Sequence, residues 1–87
     1  MKIIDILNIY YNLFPVIRLS VQMKGGLIGY YHNFTKAEAL DFLWGYTEEE
    51  VVKTIINFQT DNFYLDKSNK KLEIPNLYIV YKSSMVD

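Results

Sequence analysis

The clearest pattern in the sequence is an alternation of apolar and polar residues that begins at residue 17. Four apolar residues, Ile17, Leu19, Val21 and Met23, alternate with four polar ones, Arg18, Ser20, Gln22 and Lys24. This period of two is typical of a strand with one buried face. The dipeptide Gly25-Gly26 follows, and glycine allows the positive φ angles that a tight hairpin turn needs. The sequence therefore predicts a hairpin over residues 16–34.

The position of the turn also predicts the register of the hairpin. The expected cross-strand pairs are Met23 with Ile28, Val21 with Tyr30, Leu19 with His32 and Ile17 with Phe34. All eight residues then share one face of the sheet. A slip by one residue would bury Arg18 and Lys24 instead, so the register is well specified.

Two helix start signals follow the hairpin. Thr35 and Thr47 each begin a Thr-x-x-Glu sequence with an aromatic residue just before it, the pattern of a capping box with a hydrophobic staple. Gly45 lies between them, where the first helix needs a left-handed residue to end. The sequence predicts two helices, over residues 36–44 and 48–60.

The chain before the hairpin has helical periodicity. Asp5, Asn8 and Asn12 form one polar stripe over residues 2–14, and the rest of the helix is largely apolar. Pro15 ends this helix, because the residue before a proline is disfavoured in the helical conformation. The segment is too short and too polar to cross a membrane. We expect a helix docked on the domain, and no membrane span.

The last third of the chain is rich in strand-forming residues. Short strands are predicted over residues 63–65, 71–74 and 77–82, with a polar turn at 66–70 and a frayed tail at 83–87. The predicted order is α-β-β-α-α-β-β, with room for one more strand. The sequence therefore predicts a small α+β domain over residues 1–87, in which helices pack on one face of an antiparallel sheet.

Composition excludes several classes of protein. Hydrophobic residues make up 51% of the 87 residues, which excludes a disordered chain and fits a single small domain. The sequence contains no cysteine, so disulfides and thiolate metal sites are excluded, and we expect a cytoplasmic location. The formal net charge of -1 gives no overall attraction to nucleic acid.

The sequence contains few residues and motifs that could form a catalytic site. His32 is the only histidine, and no phosphate-binding loop or calcium loop is present. We therefore expect a protein that is not an enzyme and that has no cofactor and no metal site. The predicted register places His32 on the apolar face beside Leu19, either as a partly buried structural histidine or as a pH-sensitive contact.

Two features favour a protein partner. Aromatic residues make up 16% of the chain, more than one small core holds, and tyrosine is common in interfaces. Residues 35–66 contain seven carboxylates and two lysines, a net charge of -5; this acidic block either complements a helix dipole or faces a basic partner. The candidate interface residues are Tyr11, Tyr31, Tyr46, Asp41, Glu48 and Glu49. The abundance of isoleucine, lysine, asparagine and tyrosine suggests an AT-rich genome, and hence a phage or mobile-element inhibitor or regulator of a host protein, or a homodimer.

The alternative partner is nucleic acid. The polar face of the hairpin combines cations, amides and an aromatic ring, which are the groups that bind single-stranded nucleic acid. The candidate residues are Arg18, Gln22, Lys24, Tyr31 and Asn33. The same groups also form an ordinary solvated face, so the two interpretations remain open.

Overall fold

A computed structural model describes residues 1–26, 30–58, 63–65, 68–69 and 71–83 of the chain. The elements in order are α1 (Ile3–Tyr11), β1 (Val16–Met23), β2 (His32–Thr35), α2 (Lys36–Phe42), β3 (Glu50–Asn57), β4 (Phe63–Leu65), β5 (Lys71–Glu73) and β6 (Asn76–Lys82). Two helices accompany a four-stranded sheet, so the predicted α+β class is confirmed. Strands β4 and β5 form a separate two-stranded sheet.

The main sheet is mixed, whereas the sequence predicted an antiparallel one. Its strand order is β2-β1-β6-β3, and β6 runs parallel to β1 but antiparallel to β3. Leu77 and Ile79 of β6 are fully buried. A strand this apolar fits between two neighbours in the middle of a sheet, but its own sequence does not show which strands those neighbours are or that β1 runs parallel to it.

The core lies between one face of the main sheet and the two helices. The sheet contributes Ile17, Leu19, Leu77 and Ile79, and the helical layer contributes Ile3, Ile6, Leu7, Ala39 and Leu43. Helix α1 therefore docks through the apolar side that its periodicity predicts. It ends earlier than expected, and Leu13, beyond its last turn, is exposed.

The hairpin is confirmed where the structure describes both strands. Leu19 pairs with His32 and Ile17 pairs with Phe34, as predicted. Gly25 has φ 78°, and the N–H of Gly26 donates to the carbonyl of Met23 at 2.9 Å. Strand β2 begins only at residue 32, so Tyr30 is outside it. The predicted partner of Met23, residue 28, lies outside the described residues.

The first helix start signal is confirmed. The Thr35 hydroxyl accepts from the Glu38 N–H at 3.3 Å, and the Glu38 carboxylate accepts from the Thr35 N–H at 3.0 Å. The hydrogen bond from the Thr35 N–H, and after it the interaction of the Thr35 side chain with the same carboxylate, lower the pKa of Glu38. Gly45 has φ 88°, the left-handed conformation expected after the helix, although α2 itself ends two residues earlier than predicted, at Phe42.

The second predicted helix is wrong, because residues 50–57 form strand β3. Five of these residues are β-branched, and such residues favour strands. Pairing with β6 from Glu50 to Asn57 outweighs the local start signal. The carbonyl of Thr47 instead accepts a hydrogen bond from the N–H of Ile4 at 2.9 Å, so Thr47 holds α1 in place and starts no helix.

The C-terminal strands agree with the sequence in outline. Strand β5 ends before Pro75, which is buried, and the Pro75 carbonyl accepts from the N–H of Arg18 at 2.9 Å. Strand β6 begins one residue earlier than predicted, at Asn76. Of the predicted tail, Ser83 is described, and residues 84–87 lie outside the described residues.

Candidate interaction surfaces

Part of the predicted acidic block holds the start of the chain. The Nζ of Lys2 lies 2.8 Å from Oε2 of Glu48, and the amino group of Met1 lies 3.0 Å from Oε1 of Glu50. The hydrogen bond and the charge of Glu48 raise the pKa of Lys2. Glu48 and Glu50 are both paired, so they contribute less to an acidic binding face than the sequence alone suggests.

Three exposed aromatic side chains follow one another where α2 ends. Phe42 and Trp44 flank Leu43, which is buried in the core, and Tyr46 follows two residues after Trp44. The Trp44 side chain is 82% exposed, although tryptophan is usually highly buried. We call residues 42–46 the aromatic turn. It is the densest group of exposed aromatic residues in the described part of the chain.

The backbone of the aromatic turn is fixed by hydrogen bonds. The N–H of Leu43 donates to Ala39 at 2.9 Å, and the N–H of Tyr46 donates to Leu43 at 2.8 Å. The ring of Tyr46 lies 6.1 Å from that of Tyr81. Burial raises the pKa of Tyr81, and Tyr46 adds to that shift. The turn therefore presents its rings from a defined backbone.

The structure brings only some of the predicted interface residues together. Asp41 directly precedes the aromatic turn and Tyr46 is its last residue, and the Glu49 N–H donates to the Tyr46 carbonyl at 3.0 Å. Tyr31 is exposed on a different part of the molecule, beside Arg18. Tyr11 is half-buried rather than exposed: its hydroxyl donates to the carbonyl of Phe34 at 2.9 Å, and burial raises its pKa well above the ordinary value.

Phe42 and Trp44 were not among the predicted interface residues. The sequence placed both in a helix predicted to continue to residue 44, and it gave no indication that either side chain would face the solvent. The shorter helix leaves Trp44 in the turn that follows. Gly45 correctly marks where the chain leaves the helical region, but it does not show that α2 ends at Phe42, two residues before the predicted end.

The sheet face opposite the helices, which we call the open face, carries the alternative candidates. The register places Arg18 and Gln22 of β1 on this face together with Tyr78 of β6 and Lys53 of β3. The Gln22 side chain donates to the carbonyl of Gly26 at 2.9 Å and accepts a hydrogen bond from the Tyr78 hydroxyl. Gln22 is therefore engaged within the protein.

Three of the residues predicted to bind nucleic acid lie near one another at the hairpin side of the open face. The guanidinium of Arg18 lies 5.7 Å from the centre of the Tyr31 ring, within the range of a cation–π contact. Asn33, which pairs with Arg18 across the hairpin, and Lys24, just after β1, are exposed at the side of the sheet near the hairpin. Tyr31, Arg18 and Asn33 therefore lie together, as the nucleic-acid hypothesis requires.

His32 is exposed, whereas the sequence predicted a partly buried residue. It pairs with Leu19 as expected, but β2 is an edge strand. Its ring stacks on Phe34 at 5.5 Å and lies 5.7 Å from Phe42. The cause is the position of β2, since a side chain on the apolar face of an edge strand is covered on one side only.

Within the described residues, no group of three or more His, Asp or Glu side chains is placed to hold a metal ion. None of the described helices is long and apolar enough to cross a membrane. No known protein family, no curated protein and no solved structure matches this chain.

Proposed function

We propose that this protein is a non-enzymatic module that binds another protein through the aromatic turn. The observation that carries the proposal is the 82% exposure of Trp44 between Phe42 and Tyr46, which are also exposed. Tryptophan and tyrosine are the residues most enriched among those that dominate binding energy. The amino-acid composition favours a protein encoded by a phage or mobile element. In that case the module would act in the cytoplasm as an inhibitor or regulator of a host protein.

The fixed backbone of the turn supports the proposal. Because Leu43 is anchored in the core and the turn is hydrogen-bonded at both ends, little chain entropy is lost when its rings enter a pocket. The protein would therefore insert Trp44 into an apolar pocket of the partner.

Charge around the turn defines the partner further. Asp41 directly precedes the aromatic turn, and Glu48 and Glu49 follow it closely, although Glu48 is paired with Lys2 and so contributes less than the other two. A partner with basic residues around its apolar pocket would match these carboxylates. Charges at the rim of an interface act mainly on the association rate, so association should slow as salt is added.

The experiment is an affinity capture with the tagged protein, repeated with Trp44→Ala and with Leu13→Ala. Leu13 is also an exposed apolar residue but lies beyond the far end of α1, so it is a matched control. We expect a protein captured by the wild type to be lost with Trp44→Ala and kept with Leu13→Ala, while far-UV circular dichroism shows both variants folded. Equal capture by all three proteins would refute the proposal.

Nucleic-acid binding is the second candidate, favoured by the placement of Arg18 over the Tyr31 ring on a sheet face that also bears Lys53. Fluorescence anisotropy with labelled single-stranded oligonucleotides tests it. If this function is correct, Arg18→Ala weakens binding and reduces its salt dependence, because one phosphate contact is lost. No binding at physiological salt by the wild type would exclude it.

A further inference from the structure

The two edges of the main sheet differ in length. Strand β2 has four residues, whereas β3 has eight. Short strands and charged residues are the usual means by which proteins protect sheet edges from pairing. From Thr54 to Phe58 the β3 edge contains neither a charged residue nor a proline, so this part of the edge lacks the usual protection.

The hydrogen-bonding pattern shows which backbone groups of β3 point outward. The Tyr81 carbonyl accepts from the N–H of Lys24 at 2.7 Å and so faces β1. The neighbouring residue of β6, Val80, must then face β3, where it pairs with Lys53. By alternation, Thr54 and Ile56 direct their backbone N–H and C=O groups away from the sheet. No described backbone group hydrogen-bonds to them on that side.

The start of the chain covers the first part of this edge. The Val51 N–H donates to the Met1 carbonyl at 2.8 Å, and the Ile3 N–H donates to the Glu49 carbonyl at 3.0 Å. These two bonds form the bridge between Lys2 and Glu50. A second strand can therefore pair with β3 only beyond Val51.

Exposed apolar side chains are concentrated along the open part of the edge. Three of the twelve exposed large hydrophobic residues in the described chain belong to this short stretch: Val52, Ile55 and Phe58. These residues form an apolar band, and Val52 also lines a shallow groove of about 260 Å³ together with Met1 and with Ile6 of α1. The band therefore runs along both layers of the domain.

We propose that the β3 edge is a self-association surface, at which two copies of the chain pair antiparallel about a two-fold axis through Ile55. In this register the open stretch from Val52 to Phe58 of one copy lies opposite the same stretch of the second copy. Thr54 of one copy hydrogen-bonds with Ile56 of the second, and Ile55 lies opposite its own copy. Registers centred closer to Val51 would bring the second strand against Met1.

The charges and apolar residues along the edge favour a second copy of the same chain as the strand that pairs with β3. In this register Lys53 lies opposite the uncharged Asn57, so no like charges meet. Val52 lies opposite Phe58 of the second copy, which joins the two apolar bands. The contact needs no complementary charge from a foreign partner, and a two-fold interface uses the same patch on both chains.

The first test is the mass of the full chain in solution, measured by light scattering over a range of concentrations. The wild type should form a dimer, and Ile55→Lys should be a monomer at the same concentration, since two lysines would then face each other across the axis. Ile55 is 40% exposed, so the change leaves the core intact, and Ile55→Thr should keep the dimer. A wild type that is monomeric at every concentration would overturn the proposal.

The second test reads the register directly, because the chain contains no cysteine of its own. Ile55 faces its copy in a non-hydrogen-bonded pair, where Cα atoms lie about 4.5 Å apart, within disulfide range. Ile55→Cys should therefore cross-link rapidly under mild oxidation, whereas Lys36→Cys, on the exposed side of α2, should not. A mixture of Lys53→Cys and Asn57→Cys should cross-link faster than either alone. Equal rates at residues 55 and 36 would contradict this register.

Self-association at the β3 edge is independent of the aromatic turn. Trp44→Ala should therefore leave the dimer mass unchanged, and Ile55→Lys should leave partner capture in place. Loss of the dimer in both variants would contradict the separation of the two surfaces.

Discussion

Tyr11 is a single residue that joins two elements of the fold. Its half-buried ring packs beside the core at the end of α1, and its hydroxyl donates to the Phe34 carbonyl at 2.9 Å in β2. Substitution by phenylalanine keeps the packing but leaves that carbonyl without its donor. We expect Tyr11→Phe to lower the free energy of unfolding by about 1 kcal/mol, measured by urea denaturation at neutral pH.

The raised pKa of Tyr11 also predicts that the protein becomes less stable at alkaline pH. Because burial raises the pKa of Tyr11, the folded state holds the phenolic proton more tightly than the unfolded chain does. The resulting stabilisation is fully present below the ordinary tyrosine pKa of about 10 and is lost as the pH rises above it. Tyr11→Phe should therefore lose less stability than the wild type between pH 8 and 11, and equal losses would be inconsistent with this role.

At Ser20, by contrast, removal of the side-chain hydroxyl should increase the stability of the protein. It is only 1% exposed, and its hydroxyl has no hydrogen-bond partner among the described residues. A buried polar group without a partner costs free energy. Ser20→Ala should therefore raise the free energy of unfolding by up to about 1 kcal/mol, and a clear loss of stability would show that the hydroxyl is satisfied.

At the scale of the element, two identical start signals have different outcomes. Thr35 caps α2, but Thr47 lies in a turn before a strand. Thr35→Ala should cost about 1 kcal/mol of stability through the lost cap. Thr47→Ala should cost less than half of this, because only the backbone of Thr47 is engaged. Chemical denaturation of the two variants side by side measures the difference, and equal costs would imply a second helix.

These two sites show what the sequence can and cannot predict. The hairpin register and the α2 cap depend on residues close together in the chain, and both were predicted. Strand β3 depends on pairing with β6, some twenty residues later, and β6 in turn pairs with β1. The local signal at Thr47 could not reveal either contact, and the position of Trp44 depended on where α2 ends.

Gly45 supports the geometry of the aromatic turn. A side chain there would meet no atom within 4 Å, but its φ of 88° is strained for any other residue. Gly45→Ala should therefore cost about 1 to 2 kcal/mol of stability without any steric clash. If the turn is the binding site, the variant should also weaken partner capture, and an unchanged denaturation midpoint would mean that the turn tolerates another conformation.

At the scale of the whole molecule, the domain separates its charges between two layers. The two helices carry three carboxylates, Asp5, Glu38 and Asp41, and one lysine, Lys36, whereas Arg18 and Lys53 lie on the open face. The acidic segment predicted from the sequence is therefore split by the fold, because β3 carries Lys53 away from the helical layer. This arrangement gives the aromatic turn and the open face opposite electrostatic character, so a single partner would not engage both equally well.

The stability of the whole domain should depend on β6 far more than on β3. Ile79 is fully buried between β1 and β3, whereas Ile55 is on the edge and 40% exposed. Ile79→Ala removes buried methyl groups and leaves a cavity, at a cost of about 3 kcal/mol. This is a large part of the roughly 5 to 15 kcal/mol that stabilises a typical domain.

Ile55→Ala should cost about 1 kcal/mol. Urea denaturation followed by far-UV circular dichroism, at concentrations where both proteins have the same oligomeric state, compares the two. Similar costs at both positions would show that β6 is not an inner strand of the sheet.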